Sequence, residues 1–438
     1  MTLGLVVAQL GNLRPITDDY CFGASAVNGP IESLAEWLTM RTGSPFSAAL
    51  QVLLTGWPLA TLPLGLSSAI AYLASGLAVA FLVAYLIGSS WKAGRLSTSL
   101  LVGLFTLGWF LVFRIGQVLE LRAGDDPIGN RSWGFAEITT HWQTVNTGYV
   151  TASSLAMVAL AWAFLSRRLA STQAKLISTG IAAILVAWTT YAFAVAFAAA
   201  LLFVALGLYL RAKSPFANQA AFASLAILSG VATTFLFPGA RARTGADVRA
   251  GVNGVLEAIR NVPSGFGEWA RDIASTPTLF ALLFGIAIAS VGIIKGRLRP
   301  TRQLVWISGF LLMVSLFIYI LNEVTGILIY GRQIWQYVPA RLMIFVAAVI
   351  VGILLARKLD SMKSFGVETA NAVSVVKTLT TVGVIVLSLM GTAVLAASID
   401  SRHDAWERGP AEIRGIPNMV DRGTPWVEEC WRVLNSEE

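Results

Sequence analysis

The sequence predicts an all-α, polytopic membrane protein, and three observations carry that reading. Its 438 residues are 56% hydrophobic and only 13% charged, about half the charge of an ordinary soluble domain. The apolar residues gather in stretches long enough to cross a hydrocarbon core about 30 Å thick, which takes roughly 20 residues of helix. Charge is sorted between alternate loops. Assigning those loops to opposite sides leaves 22 of the 24 acids on one side, with Asp360 and Glu368 on the other. All seven lysines (Lys92, Lys175, Lys213, Lys295, Lys358, Lys363 and Lys377) join those two acids, beside eight arginines. Excess Lys and Arg in short loops marks the cytoplasmic face, so the acid-rich side is the outer one.

In chain order, Thr2–Leu10 is apolar but reaches only about 14 Å as helix. Either the chain's start lies upstream, or this piece enters from the inside beside neighbouring spans. No basic residue follows Met1 and no small-residue cleavage site stands out, which reads against a cleaved signal peptide. Gly11–Ser47 is then outer, and Pro45–Leu66, interrupted by Pro58 and Pro63, is expected to be an interfacial helix on that surface. Expected spans are Ser67–Gly88, Leu96–Ile115, Gly148–Ser166, Gln219–Phe237, Pro277–Ile294, Gln303–Leu321, Arg341–Ala356 and Leu379–Ala397. The run Leu176–Leu210 is too long for one span. Basic residues bracket it (Arg167, Arg168, Lys175; Arg211, Lys213), so it is expected to be a hairpin turning near Thr189, Thr190 and Tyr191. The sum is about eleven spans of bilayer-matched length, with outer-face juxtamembrane helices. Residues 1–397 form the transmembrane domain, with the outer loop 11–66. The tail 398–438 is too small for its own core and is expected to pack on the outer loops. Gly116–Thr147, Pro238–Thr276 and Asn322–Ala340 are the remaining outer segments.

The net charge of +8 is not a nucleic-acid signal. Nearly half the cations sit in short inner loops, where anionic membrane lipids attract them, and no basic stretch is interleaved with aromatics. Cys21 and Cys430 both fall outside, where a disulfide and two free thiols are both open readings. Two cysteines and two histidines show no metal-ligand spacing. A divalent metal on the first-loop acids is compatible with the sequence but nothing in it requires one.

The long outer segments place the chemistry on that face. Asp18 and Asp19 open the first of them; a carboxylate there would take a proton from an acceptor hydroxyl, or serve as a helix cap or solvated loop start. The seventeen outer cations are all arginine, whose planar fork suits phosphate and also pairs with acids. Arg241 and Arg243 follow a span; Arg332 and Arg341 flank an aromatic loop containing Trp335. His141 and Trp142 close the second outer loop. Trp37, Trp133 and Trp269 also lie near this surface, as sugar-stacking faces or as an interfacial belt. Ionisable residues are scarce in the middles of the spans: Arg114, Glu323 and Arg341 lie at outer ends. That scarcity reads against an ion-coupled transporter.

A short first hydrophobic segment, an Asp-Asp pair opening a long outer loop, and about ten further spans together resemble the GT-C superfamily of membrane glycosyltransferases. The layout is similar to a bacterial multi-pass family related to the O-antigen glucosyltransferases. Asp18-Asp19-Tyr20 resembles the family's first-loop acidic motif. Trp37 to Arg41 resembles an aromatic-x-x-Gly-Arg element, with Met40 in the Gly position. Pro238 to Arg243 resembles Pro-Gly-Asn-x-x-Arg, with Ala240 for Asn. Pro339-Ala340-Arg341 resembles the arginine that opens a late span. The hairpin turn lacks the family's acid. The resemblance implies a polyprenyl-phosphate sugar donor and an outward-facing site in a bacterial cytoplasmic membrane. It implies catalysis by Asp18 or Asp19, with Arg243, Arg341, Arg241 and Arg332 as candidates for the donor phosphate. Arg41, His141, Trp142 and Trp335 are candidates for the sugar or for a glycan or lipid acceptor. A transporter or flippase of a lipid-linked glycan is the alternative.

The sidedness is testable directly. A cysteine at Asp125 should react with a membrane-impermeant maleimide added outside intact cells; protection there, with labelling only from the cytoplasmic side, would overturn the assignment.

Overall fold

The structure is a computed structural model that describes residues 29–40, 44–56, 70, 74–79, 146–165, 171–211, 215–239, 256, 259–290, 302–325, 337–362 and 371–390. These residues are helical or lie in short turns, and no strand occurs among them. The elements are α1 (Pro30–Met40), α2 (Pro45–Gln51, running into a π-helical turn Val52–Gly56), α3 (Ala152–Leu165, preceded by the π-helical turn Asn146–Thr151), α4 (Thr172–Ala187), α5 (Tyr191–Arg211) and α6 (Pro215–Thr234). They continue with α7 (Val262–Ile273), α8 (Thr276–Ser290), α9 (Arg302–Thr325), α10 (Tyr337–Met362) and α11 (Asn371–Met390).

Among the described residues, six stretches are long and apolar enough to cross a membrane, or seven if α7 and α8, bent by 44°, count as one broken span. Helices suit that solvent because they satisfy their backbone polar groups internally, where lipid offers no partner. The expected hairpin is present: α4 and α5 are joined by Trp188–Thr190. Its first arm has 16 residues, about 24 Å at helical rise, and begins at Ser171, whose hydroxyl caps the Ala174 N–H. Of the expected span 67–88, residues 70 and 74–79 are described and helical, while the expected span 96–115 and the segments 1–28 and 391–438 lie outside the described residues.

Two outer segments differ from expectation. Asn322–Ala340 is shorter than the sequence suggests, because α9 runs on to Thr325 and α10 begins at Tyr337. Asn322 and Glu323 are therefore buried helix residues. Pro238–Thr276 is not all loop. It contains α7, whose Gly265 lies against the backbone of Tyr319 and Ile320 in α9. Hydropathy misses both points because the polar groups concerned are satisfied by neighbouring helices rather than by water.

The core is organised around α10. Of its apolar window 83% is buried, against 17% for α11, so α10 is central and α11 peripheral. Lipid tails are as apolar as leucine, so helices in a membrane associate by close packing and interhelical hydrogen bonds. Both occur here. Gly285 of α8 sits against Val349 and Ile353 of α10, while Gly352 of α10 sits against Leu282 and Ile286 of α8. A Cβ at either glycine would fall 2.2 or 2.1 Å from a backbone carbonyl oxygen. Ala281 and Ala289 flank Gly285 at four-residue spacing, and Ala348 and Ala356 flank Gly352 likewise, so small residues line this contact for two turns on each helix. Hydrogen bonds join other helices: Ser224 Oγ donates to Ala198 O at 2.8 Å, and Gln219 Nε2 to Thr179 Oγ1 at 2.8 Å.

Several helix ends gather at one end of the bundle. The N–H groups of Phe46 and Ser47 in α2 donate to Trp188 O in the hairpin turn. Ser47 Oγ donates to Gly148 O at 3.0 Å. Trp188 Nε1 reaches Thr233 Oγ1 at 3.4 Å, and the Tyr191 and Phe235 rings stack at 5.6 Å. Trp37, expected near the outer surface as a sugar-stacking face or part of an interfacial belt, is instead buried with Ala48 and Val52 in a small satellite core.

Gly285→Ala and Gly352→Ala should each destabilise the protein, because the new methyl meets rigid backbone; overpacking of this kind costs about 1–3 kcal/mol. Gly309, with nothing within 4 Å of an added Cβ, is the control: Gly309→Ala should be neutral or gain up to about 1 kcal/mol of helix propensity. Thermal unfolding of the three variants in detergent checks the contrast.

Candidate functional site

Charge is buried where α7, α9 and α10 meet. In α7, Gly265, Trp269 and Asp272 fall on one helical face by their i, i+4 and i+7 spacing, and that face lies on α9. Gly265 permits the approach, and Trp269 Nε1 donates to Ser315 Oγ of α9 at 2.9 Å. Trp269 is thus a packing residue rather than an open stacking surface. Asp272 ends the face just before the break to α8. Its backbone carbonyl accepts from Ser275 Oγ and, at 2.7 Å, from Thr278 Oγ1. The Ser275 N–H donates to the same carbonyl at 3.2 Å, so the hydroxyls add to a backbone bond at the break, and Pro277 suits the first turn of α8, where no N–H is needed.

The Asp272 carboxylate points into the bundle. Arg341 Nε of α10 donates to its Oδ2 at 2.8 Å. The Tyr319 hydroxyl of α9 donates to the same oxygen. One turn along α9, Glu323 Oε1 accepts from the Tyr337 hydroxyl of α10 at 2.6 Å. The two tyrosine rings stack with centroids 4.5 Å apart and planes 19° off parallel. Arg341 and Asp272 are 4% and 5% exposed, and Tyr319 and Glu323 are each 1% exposed. Two acid–tyrosine pairs thus stand side by side, and one of them carries the guanidinium.

Burial decides what this arrangement is worth. Removing a charge from water costs several kcal/mol, which only a well-placed counter-charge and further hydrogen bonds offset. Asp272 and Arg341 supply each other's counter-charge, and Tyr319 supplies an additional donor. The pair also fixes the plane and position of the guanidinium, which a lysine's flexible point charge in its place would not do. Chemically, the site holds a buried, paired cation near the start of α10, with a second carboxyl group one turn further along α9.

Of the candidate residues named from sequence, Arg341 is described, and it is brought together with Asp272 and Tyr319. Asp18, Asp19, Arg41, His141, Trp142, Arg241, Arg243, Arg332 and Trp335 lie outside the described residues. Asp272, Tyr319 and Tyr337 were not singled out from sequence. One signal for Asp272 was present: on a helical projection of 262–273 it falls beside Gly265, between the face that carries Trp269 and the polar side that carries Glu268 and Arg271. An acid at the border of a helix's packed face calls for a counter-ion when that face is buried. Among the described residues, no group of three or more His, Cys, Asp or Glu is placed to hold a metal ion. No protein-family model, curated protein or solved structure matches the chain.

Removing one member of the pair should cost far more than removing both. Asp272→Ala should destabilise the protein by about 3–5 kcal/mol, the usual cost of stranding a buried charge. Combining it with Arg341→Met should recover most of that loss. A double-mutant cycle on unfolding in detergent measures the coupling.

Proposed function

We propose that this chain is a GT-C-type glycosyltransferase with about eleven bilayer-crossing helices, seated in a bacterial cytoplasmic membrane with its active site on the extracytoplasmic face. It transfers a sugar from a polyprenyl-phosphate donor to a glycan, lipid or protein acceptor. The observation that carries the reading is Arg341 near the start of α10, paired with Asp272 beside the α7–α8 break and with Tyr319 near the end of α9. An arginine opening a late span is also one of the marks through which the sequence resembles that superfamily. The charge sorting and the first-loop Asp18-Asp19 pair support the same reading.

In the proposed reaction, Arg341, Arg243, Arg241 and Arg332 hold the donor phosphate and stabilise the negative charge that develops on it. Asp18 or Asp19 removes the acceptor hydroxyl proton as that oxygen attacks the anomeric carbon. The new C–O bond forms as the sugar–phosphate bond breaks, the electron pair leaves with the polyprenyl phosphate, and the sugar's configuration inverts. Arg41, His141, Trp142 and Trp335 bind the sugar or the acceptor.

A second reading, transport or flipping of a lipid-linked glycan, is favoured by one feature. The α7–α8 pair is a broken helix with a buried acid at its break, and transporters build ligand sites from discontinuous helices and buried ionisable groups.

Asp18→Asn and Asp19→Asn, tested singly in protein that inserts normally, separate the readings. Loss of the general base should lower sugar transfer about 10²–10⁴-fold in one of them. Unchanged turnover in both would end the enzymatic proposal, and movement of the lipid across reconstituted vesicles without any acceptor would install the second reading in its place.

A further inference from the structure

The polar and apolar faces of α7 do more than seat it on α9. Asp272 and Gly265 are buried toward the bundle, and Trp269 and Ile273 are partly buried against the core. The neighbouring apolar strip is not covered. Phe266 is 53% exposed, although its ring lies 5.6 Å from that of Trp269. Val262 is also exposed, and Leu256 and Ile259, helical residues just ahead of α7, are 49% and 60% exposed. The strip continues past the bend into Leu279 of α8, which is 55% exposed. The third face is polar: exposed Arg271 pairs there with the partly buried Glu268 at 2.9 Å. An apolar strip so open to water would cost about 25 cal/mol for each Å² left uncovered.

We infer that α7 is an interfacial helix, lying in the boundary between lipid headgroups and acyl chains, with Val262 and Phe266 in lipid and Glu268 and Arg271 in the headgroup layer. Lipid is the occupant for two reasons. The exposed strip adjoins α8, which together with α7 is apolar enough to form a broken membrane span and which exposes Leu279 just past the bend. The order of faces is that of helices lying in a membrane surface, with an apolar arc on one side and charge on the other. The 44° bend lets α7 leave the direction of α8 and turn along that boundary. At about 18 Å long, α7 covers the lipid side of the region where Asp272 meets Arg341. The buried ion pair therefore lies close to the depth of lipid phosphates. This inference does not rest on the glycosyltransferase reading and stands or falls separately from it.

The experiment uses the full chain with Cys21→Ser and Cys430→Ser, reconstituted into phosphatidylcholine–phosphatidylglycerol vesicles, with nitroxide labels at Val262→Cys, Phe266→Cys and Arg271→Cys in turn. Collision with oxygen should exceed collision with a water-soluble nickel chelate at 262 and 266, and the order should reverse at 271. A nickel excess at both 262 and 266 would overturn the inference, as would dipolar broadening between labels on two copies, which would make the strip a contact between chains. A second measurement leaves both native cysteines in place. A benzophenone amino acid at Phe266 should give a lipid adduct on illumination. A cross-linked dimer, or no lipid adduct in protein that inserts normally, would equally overturn it.

Discussion

A guanidinium enclosed by apolar helices is tolerated only beside an opposite charge, and much of the architecture around α10 follows from meeting that demand at Arg341. The counter-ion comes from Asp272, 69 residues earlier in the chain. To deliver it, α7 must lie against α9 closely enough for Gly265 to touch backbone. The chain must also break before α8, and the carbonyl at the break must find hydroxyl partners in Ser275 and Thr278. Tyr319 then reaches the shared carboxylate oxygen from α9. Three helices are joined through one acid.

The second constraint on α10 is steric. The reciprocal contacts, Gly285 against Val349 and Ile353 and Gly352 against Leu282 and Ile286, centre about 17 Å beyond Arg341 along α10 at helical rise. A polar clasp near one end and a close backbone approach further along the helix together set its rotation and height against the α7–α8 pair. Neither would suffice alone: an ion pair acts as a pivot, and a smooth glycine contact permits sliding. Elsewhere the interhelical bonds are modest ones, such as Ser224 to Ala198 and Gln219 to Thr179. Such bonds add little individually in a membrane, but they suit a frame whose main fixed points are already set.

The cluster bears on function because the buried charged side chains among the described residues, Asp272, Glu323 and Arg341, gather in it. An arginine held by an acid keeps its orientation, and orientation is what bidentate recognition of a phosphate needs. The break between α7 and α8 adds a place where the backbone leaves helical geometry beside that arginine. Enzymes acting on lipid-linked sugars and proteins moving lipids both handle a charged head attached to an apolar chain. Both therefore need polar groups near the end of an apolar bundle, which explains why one site sustains two readings.

Membrane residence, helical class, the α4–α5 hairpin and its turn, and the approximate position of most described spans were legible in the linear sequence, because hydropathy and loop charge are local properties. The ends of α9 and α10 were less legible. Glu323 and Tyr337 read as loop residues until their mutual hydrogen bond is seen, since a polar residue can extend a helix into the bundle only when a neighbour satisfies it. Trp37 and Trp269 looked like surface aromatics for the same reason: composition does not reveal which side of a helix is covered. The sequence by itself established an apolar helical chain with several stretches long enough to cross a membrane. The tertiary structure alone decided that Asp272 belongs to Arg341, because a pairing between distant segments depends on helix rotation and spacing, and neither quantity is written in the residues of either segment.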